Sequence, residues 1–254
     1  GVLRILDNQT QASYERMNIF EDSGDVGDEY NYSYPERDER FESTQFQPVI
    51  RIIESGPIRA SIQIDQTMVV PANAASDERS RSSEKTELGV STVLSLTPLS
   101  KRVDFKTTVR NSVKDHRFRV LFHTGIQSRE SYADTPFAVV KREHQEYDNS
   151  QFPYELPALV SPMQRFVTIL DEQKGCTLIT RGLPEYELSV RKPGVLALTL
   201  LRCVGKLSGR NLLTRPGGAA GWWTETPEAQ CPGTHTFEYS IYPHAPTGQR
   251  MWTS

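Results

Sequence analysis

The sequence lacks several features that would define a class of protein at once. Cysteine is scarce, and the three residues in 254 form neither a disulfide framework nor a CxxC zinc motif. No apolar run approaches the roughly 18 residues that a membrane-spanning helix needs. The formal net charge is -3, whereas proteins that neutralise nucleic-acid phosphates are usually basic. We therefore expect neither a nucleic-acid nor a membrane partner.

Motifs for cofactors and catalysis are equally scarce. The chain contains no GxGxxG, no GxxxxGK[ST], no HExxH and no GxSxG. Its five histidines are scattered, and no His-x-Asp or His-x-His pair supplies two metal ligands on one strand. We expect no metal bound by this chain itself. The cysteines are expected to be small buried thiols, which is typical of a cytoplasmic protein.

Apolar and polar residues alternate with a period of two wherever the sequence is regular. The segments 58–68, 103–110, 117–122 and 236–241 follow this pattern. Such alternation is typical of antiparallel sheets that bury one face. The segment 195–203 (VLALTLLRC) is apolar at nearly every position, which predicts a central strand covered on both sides.

Helix signals are few, and turn signals are frequent. The best helical candidate, residues 76–88, is so polar that a solvated loop is the favoured interpretation. Proline and glycine separate the strands, and neither an internal repeat nor a flexible linker divides the chain. The sequence therefore predicts an all-β protein, a single large sandwich domain over residues 1–254.

Two segments combine residue types that could bind a ligand. Residues 20–35 (FEDSGDVGDEYNYSYP) join carboxylates, glycines and tyrosines, the residue types that often hold sugar rings and hydroxyls. An acidic surface loop or a calcium loop is the alternative, although the spacing is not that of an EF-hand. Residues 181–187 (RGLPEYE) form a turn whose rim would carry Arg181, Glu185 and Tyr186.

Two further features have both a functional and a structural interpretation. His116 begins a strand and is either a general acid or base or a histidine satisfied by its neighbours. Trp222 and Trp223 lie in a glycine-rich loop, where exposed indoles stack on sugars or become buried against another domain.

Seven segments, taken in order, carry a resemblance to a known family. They are FEDSGDVGDEYNYSYP, DHRFRVLF, ADTPFAVVKR, RGLPEYE, ALTLLRCVG, TRPGG and PEAQCPGTHTFEYSIYPH. Together they resemble the C-terminal β region of bacterial α-mannosidases of glycoside hydrolase family 38. The similarity runs from about Asn18 to His244, which is nearly the whole chain.

The resemblance implies a fold and a chemistry. The fold is a large antiparallel supersandwich, as in galactose mutarotases, with few or no helices. The chemistry is that of a retaining α-mannosidase, in which an Asp attacks the anomeric carbon and a second carboxylate is the acid/base. A divalent cation, usually zinc, grips the sugar hydroxyls.

In that family the nucleophile and the metal ligands lie in an N-terminal α/β domain, which these residues do not include. The chain also starts without a methionine, on what reads as a strand end. We therefore expect a fragment of a longer protein, with no catalytic residue of its own and no hydrolysis when it is produced alone. The expected partners are a mannose-containing oligosaccharide and the N-terminal catalytic domain of the same enzyme.

The resemblance also points to a wall of the active site. The family's Gly-Asp-x-Tyr loop corresponds to residues 27–30, so Asp28 and Tyr30 are expected to reach toward the sugar, with Tyr30 as an aromatic and hydroxyl contact. Arg181, Glu185 and Tyr186 are the next candidates. A face bordered by Tyr30 and the 181–187 turn is expected to expose apolar and aromatic surface, and such a face is compatible with a homo-oligomer.

Two other functions are compatible with the residues. A free-standing carbohydrate-binding module would use Tyr30, Trp222 and Trp223 as a stacking platform. A mutarotase-like isomerase would need His116 or His123 opposite a buried Glu in a cleft.

Overall fold

The computed structural model describes residues 2–98 and 100–246. Its regular structure is almost entirely β-strand, with short 3-10 turns at Ser43–Gln45, Asn149–Gln151 and Pro227–Gln230. The strands are β1 (Leu3–Leu6), β2 (Ser13–Met17), β3 (Ile19–Gly24), β4 (Phe41–Glu42), β5 (Val49–Ser55), β6 (Ala60–Pro71), β7 (Lys85–Leu96), β8 (Val103–Asn111), β9 (His116–His123), β10 (Glu130–Asp134), β11 (Val139–Glu143), β12 (Ser161–Pro162), β13 (Phe166–Leu170), β14 (Gly175–Arg181), β15 (Glu185–Leu188), β16 (Val195–Cys203) and β17 (Gly233–His244).

Two antiparallel sheets form the sandwich. The larger has nine strands in the order β11-β10-β13-β14-β17-β8-β7-β6-β5, and the smaller has six in the order β12-β15-β16-β9-β3-β4. Strands β1 and β2 pair as a separate hairpin. This architecture confirms the predicted all-β supersandwich.

The apolar core lies between the two sheets. In β8, buried side chains alternate with more exposed ones along the strand, as the period-two pattern predicted. Phe105 of β8 stacks on Tyr239 of β17 at 5.3 Å between ring centroids, and it meets Phe122 of β9 edge-on at 6.2 Å. Strand β16 is buried at nearly every residue, which confirms the central strand predicted at 195–203.

The polar segment 76–88 contains no helix. Residues 72–84 are turns and isolated bridges, and β7 begins at Lys85. The loop interpretation is therefore confirmed for most of the segment, while its last four residues belong to a strand.

The nine-stranded sheet extends beyond its partner at β5. Along the core-facing row from Phe105 through Leu94 and Ile62 to Ile52, exposure rises from 2% to 75%. Every residue of β5 except Glu54 is exposed. Exposed isoleucines therefore gather on β5, at a place that the sequence did not predict. The face expected beside Tyr30 and the 181–187 turn stays a prediction.

Candidate functional site

The acidic loop, defined here as residues 25–35, leaves the buried strand β3 at the end of the six-stranded sheet. Oδ1 of Asp25 accepts hydrogen bonds from the backbone N–H groups of Gly27 (3.0 Å) and Ser33 (3.2 Å), which folds the loop back on itself. Oδ2 of Asp25 accepts a 2.8 Å bond from Nε of Arg202 on β16. Burial raises the pKa of the Asp25 carboxyl, and the guanidinium of Arg202 opposes that change.

Asp28 is fully buried and holds the tip of the loop. Its Oδ1 accepts from the backbone N–H groups of Tyr30 (3.0 Å) and Asn31 (2.8 Å), and its Oδ2 accepts from Gly209 N (2.7 Å) and from Arg215. Burial raises the pKa of Asp28, but the hydrogen bonds from Arg215 and Gly209 outweigh it, so that pKa lies below its usual value. Both oxygens are used within the protein.

Arg215 connects the acidic loop to residues 205–221, and its role was not predicted from the sequence. Its guanidinium donates to Asp28, to Oδ1 of Asn31, and to the carbonyls of Gly209 (3.2 Å) and Gly218 (3.1 Å). Each of these hydrogen bonds fixes part of a segment that has only isolated β-bridges and no strand of its own. The only signal for Arg215 was its place in the motif TRPGG, which carried no indication of a partner.

Tyr30 projects from the anchored loop and is 55% exposed. A Cβ atom at Gly221 would lie 3.1 Å from the Tyr30 hydroxyl, so the two loops touch at this point and a larger residue there would displace the tyrosine. The next two residues, Trp222 and Trp223, are 86% and 58% exposed. Three aromatic side chains are therefore available to a ligand at one edge of the molecule.

Behind the loop, the outer face of the six-stranded sheet carries buried charges. Arg119 of β9 donates 2.6 Å hydrogen bonds to Glu21 on the adjacent strand β3 and to Glu187 on β15, which lies beyond β16 on the other side. The guanidinium of Arg117 lies 3.4 Å from the ring centroid of Tyr32, over its face. The ion pairs hold three strands together, and the contact with Tyr32 fastens the acidic loop to β9.

The structure separates the residues predicted around the 181–187 turn. Arg181 ends β14 in the nine-stranded sheet, where it pairs with Glu238 at 2.7 Å and remains exposed. Glu185 begins β15 in the other sheet and accepts a 2.6 Å hydrogen bond from Thr199. Burial lowers the pKa of Arg202, but the negative charges of Asp25 and Glu185 outweigh this effect and raise that pKa. Glu185 therefore lies near Arg202, at the base of the acidic loop.

Tyr186 belongs to the core. It is completely buried, and its hydroxyl lies 2.8 Å from Oγ of Ser131 and accepts a 3.3 Å bond from Arg142. Of the predicted site residues, the structure thus brings Asp28, Tyr30 and Glu185 to one region, while Arg181 and Tyr186 lie elsewhere.

His116 has no free ring nitrogen. Its Nδ1 lies 2.6 Å from Asp22 and its Nε2 lies 3.1 Å from Asn111, in a fully buried environment. Neither His116 nor His123 lines the cleft that opens beside the acidic loop. The geometry that an isomerase would require is therefore not found at these two histidines.

A cleft of about 580 Å³ opens beside the acidic loop. Its walls come from the loop itself, from the 74–78 and 114–115 turns, and from residues 205–230. Trp223 lines it, whereas Trp222 does not.

Among residues 2–98 and 100–246, no three His, Cys, Asp or Glu side chains converge in a way that would hold a metal ion. The donor set of these residues therefore does not fit the divalent cation that the resemblance implies. The same residues form no helix that is long and apolar enough to cross a membrane.

Comparisons with known proteins agree with the resemblance. Residues 1–206 match the family described as "Glycosyl hydrolases family 38 C-terminal domain". A protein of Halalkalibacterium halodurans named "Putative mannosylglycerate hydrolase" is 33% identical over 96% of the chain. An α-mannosidase of Enterococcus faecalis V583 superposes on 98% of the chain with a TM-score of 0.86 and 32% identity. A family 38 glycosyl hydrolase of Enterococcus faecalis superposes on 97% with a TM-score of 0.83 and 31% identity.

The chain is much shorter than these relatives. It covers 27% of the Halalkalibacterium protein and 28% of each solved chain. The family description calls the matched region a C-terminal domain, and this chain corresponds to one part of relatives that are named mannosidases or hydrolases. The chain therefore belongs to glycoside hydrolase family 38, in which it matches the C-terminal domain.

Proposed function

We propose that this chain supports and partly lines the active site of a retaining α-mannosidase and has no hydrolytic activity alone. The observation that carries the proposal is the exposed Tyr30 on a loop that the buried Asp28–Arg215 pair holds in place. A rigid aromatic side chain with a hydroxyl offers both a stacking face and a hydrogen bond to a sugar.

The predicted residues then take different roles in the proposal. Tyr30 is the substrate contact, because its side chain is exposed. Asp28 and Glu185 are positioning residues, because the first anchors the loop tip and the second lies near the loop base. Arg181, which is exposed, would face another part of the enzyme, and Tyr186 would stabilise the sandwich from within.

The chemistry is assigned to the rest of the polypeptide. Retention of anomeric configuration needs two carboxylates close together, one as nucleophile and one as acid/base. We place both, together with the zinc that family 38 enzymes generally use, in the N-terminal catalytic domain, which is the expected partner of this chain. The free cysteines and the bacterial relatives support a cytoplasmic enzyme acting on mannose-containing oligosaccharides.

The decisive experiment compares this chain with the full polypeptide that contains it. Both are assayed with an aryl α-mannoside and with mannosylglycerate, in the presence of zinc. We expect activity only in the longer protein. Activity of the 254-residue chain alone would overturn the assignment of the catalytic residues to another domain.

Tyr30→Phe and Tyr30→Ala in the longer protein test whether Tyr30 forms part of the wall of the active site. If Tyr30 contacts the sugar, loss of the hydroxyl should lower kcat/KM by about tenfold, as expected for one hydrogen bond. Loss of the ring should lower it further. Tyr154→Ala is a matched control, because Tyr154 is another exposed tyrosine and does not belong to the acidic loop. Equal rates in all four proteins would show that Tyr30 does not touch the substrate.

A further inference from the structure

We propose that the cleft beside the acidic loop binds one hexose ring, stacked on Trp223. Its identification as a hexose of the mannoside substrate rests on the proposed function. The cleft of about 580 Å³ lies within the range of roughly 300–1,000 Å³ that is usual for small-molecule sites.

The aromatic contact is specific to one of two neighbouring indoles. Trp223 lines the cleft and is 58% exposed, so one part of its side chain is packed and another part is open to a ligand. Trp222 is more exposed and does not line the cleft. The apolar face of a pyranose suits such a partly packed ring, because stacking removes apolar surface of both partners from water.

The polar groups of the cleft suit a neutral ligand with many hydroxyls. Lys114, Arg210 and Glu225 line the cleft, and within the described part of the chain their side chains form no hydrogen bond or ion pair. Two of them are donors and one is an acceptor, whereas each sugar hydroxyl can act in both ways. Over the whole lining, four carboxylates lie among three cationic side chains, so neither sign dominates as it would in a site for an anion or a metal ion.

The walls of the cleft are fixed before any ligand arrives. On one side, Nζ of Lys206 donates to both carboxylate oxygens of Glu78, at 2.8 and 2.7 Å. On another side, Asp115 and Gln230 exchange two hydrogen bonds, of 2.9 and 2.6 Å. Asp115 and Glu78 both adopt positive φ angles of 51° and 53°, which non-glycine residues rarely do and which often occur at functional sites. A preformed site loses less entropy when it binds.

The test uses the 254-residue chain with ¹⁵N-labelled tryptophan. Indole N–H resonances are assigned with Trp222→Phe and Trp223→Phe, and methyl α-D-mannopyranoside is added up to about 50 mM, which covers millimolar dissociation constants. We expect a saturable shift of the Trp223 resonance and none of the Trp222 resonance. Glycerol at the same concentration has hydroxyls but no ring face, and it should shift neither.

Two alanine variants distinguish binding in the cleft from nonspecific stacking of the sugar on any exposed indole. Trp223→Ala should weaken binding at least tenfold, followed through the sugar's saturation-transfer signal, whereas Trp222→Ala should leave it unchanged. Both side chains are exposed, so both variants are expected to fold, and matching far-UV spectra check this. The proposal is overturned by the absence of a saturable shift, or by equal effects at the two indoles. Neither outcome bears on whether the full polypeptide hydrolyses mannosides or needs Tyr30, so failure here is distinguishable from failure of the proposed function.

Discussion

Asp28→Asn changes one buried atom at the tip of the acidic loop. The retained Oδ1 can still accept from the backbone N–H groups of Tyr30 and Asn31. The new amide NH₂ replaces Oδ2 and therefore faces the N–H of Gly209 and the guanidinium of Arg215, which are both donors. Two charge-assisted hydrogen bonds become donor–donor contacts, and a buried cation loses its carboxylate partner.

The expected loss of stability follows from that geometry. Removing one partner of a buried ion pair costs about 3–5 kcal/mol. The lower end applies here, because Arg215 keeps its hydrogen bonds to the carbonyls of Gly209 and Gly218. In a chain of this size each kcal/mol lowers Tm by about 2–4 °C, so a loss of about 3 kcal/mol corresponds to a decrease of roughly 6–12 °C.

Far-UV circular dichroism at neutral pH measures this decrease. The neighbouring Glu29→Gln is the control, because Glu29 is exposed and its side chain makes no contact with another described polar group. It is expected to change stability by less than about 0.5 kcal/mol.

The pH dependence gives a second readout. The pKa of Asp28 is lower in the folded protein than in the unfolded chain. The ionised carboxylate therefore contributes fully to the free energy of unfolding above the unfolded-state pKa of about 3.9, and this contribution is lost as the pH falls through the folded-state pKa. The difference in Tm between wild type and Asp28→Asn should therefore narrow as the pH falls below about 3.9. A decrease below about 3 °C at pH 7, or a difference independent of pH, would refute the anchoring role.

Three further changes test other contacts. Arg119→Met removes the buried cation between two glutamates and should lower the free energy of unfolding, measured in urea, by about 3–5 kcal/mol. Arg181→Met breaks an exposed ion pair and should lower it by less than about 1 kcal/mol. Similar losses in the two variants would contradict the role of the buried network. Tyr186→Phe should lower stability by about 1–2 kcal/mol, because buried hydrogen bonds are lost, and a neutral effect would contradict its core role. Burial raises the pKa of the Cys176 thiol to about 12, so iodoacetamide at pH 8 should label the half-buried Cys231 well before Cys176. Peptide mass spectrometry measures the order of labelling, and the reverse order would contradict the burial of Cys176.

The fold class could be predicted from the sequence because strand periodicity is local. Alternation along 103–110 and the apolar run of 195–203 both depend on residues within one strand, and both became strands with the expected burial. The pairing order could not be predicted in the same way. Strand β9 lies between β3 and β16, each far from it in sequence, and nothing in a single strand specifies those neighbours.

The candidate site was predicted less completely, for two physical reasons. Asp28 pairs with Arg215, 187 residues away, so the motif around Asp28 could not indicate that its carboxylate is used internally. Arg181 and Glu185 are four residues apart, yet Gly182, with a φ of +71°, lets the chain cross from one sheet to the other between them. Residues that are adjacent in a motif therefore need not share a site.

The place of β17 in the nine-stranded sheet has a consequence for how the protein folds. Strand β17, the last that the structure describes, joins β8 on one side to β14 on the other. Without it, strands β5–β8 form one sheet and strands β10, β11, β13 and β14 form another among the described residues, each with one more unpaired edge. During synthesis the nine-stranded sheet cannot be completed before residues 233–244 have left the ribosome. Because these pairings join strands that are far apart in sequence, we expect the sheet to fold slowly and only after β17 has been synthesised.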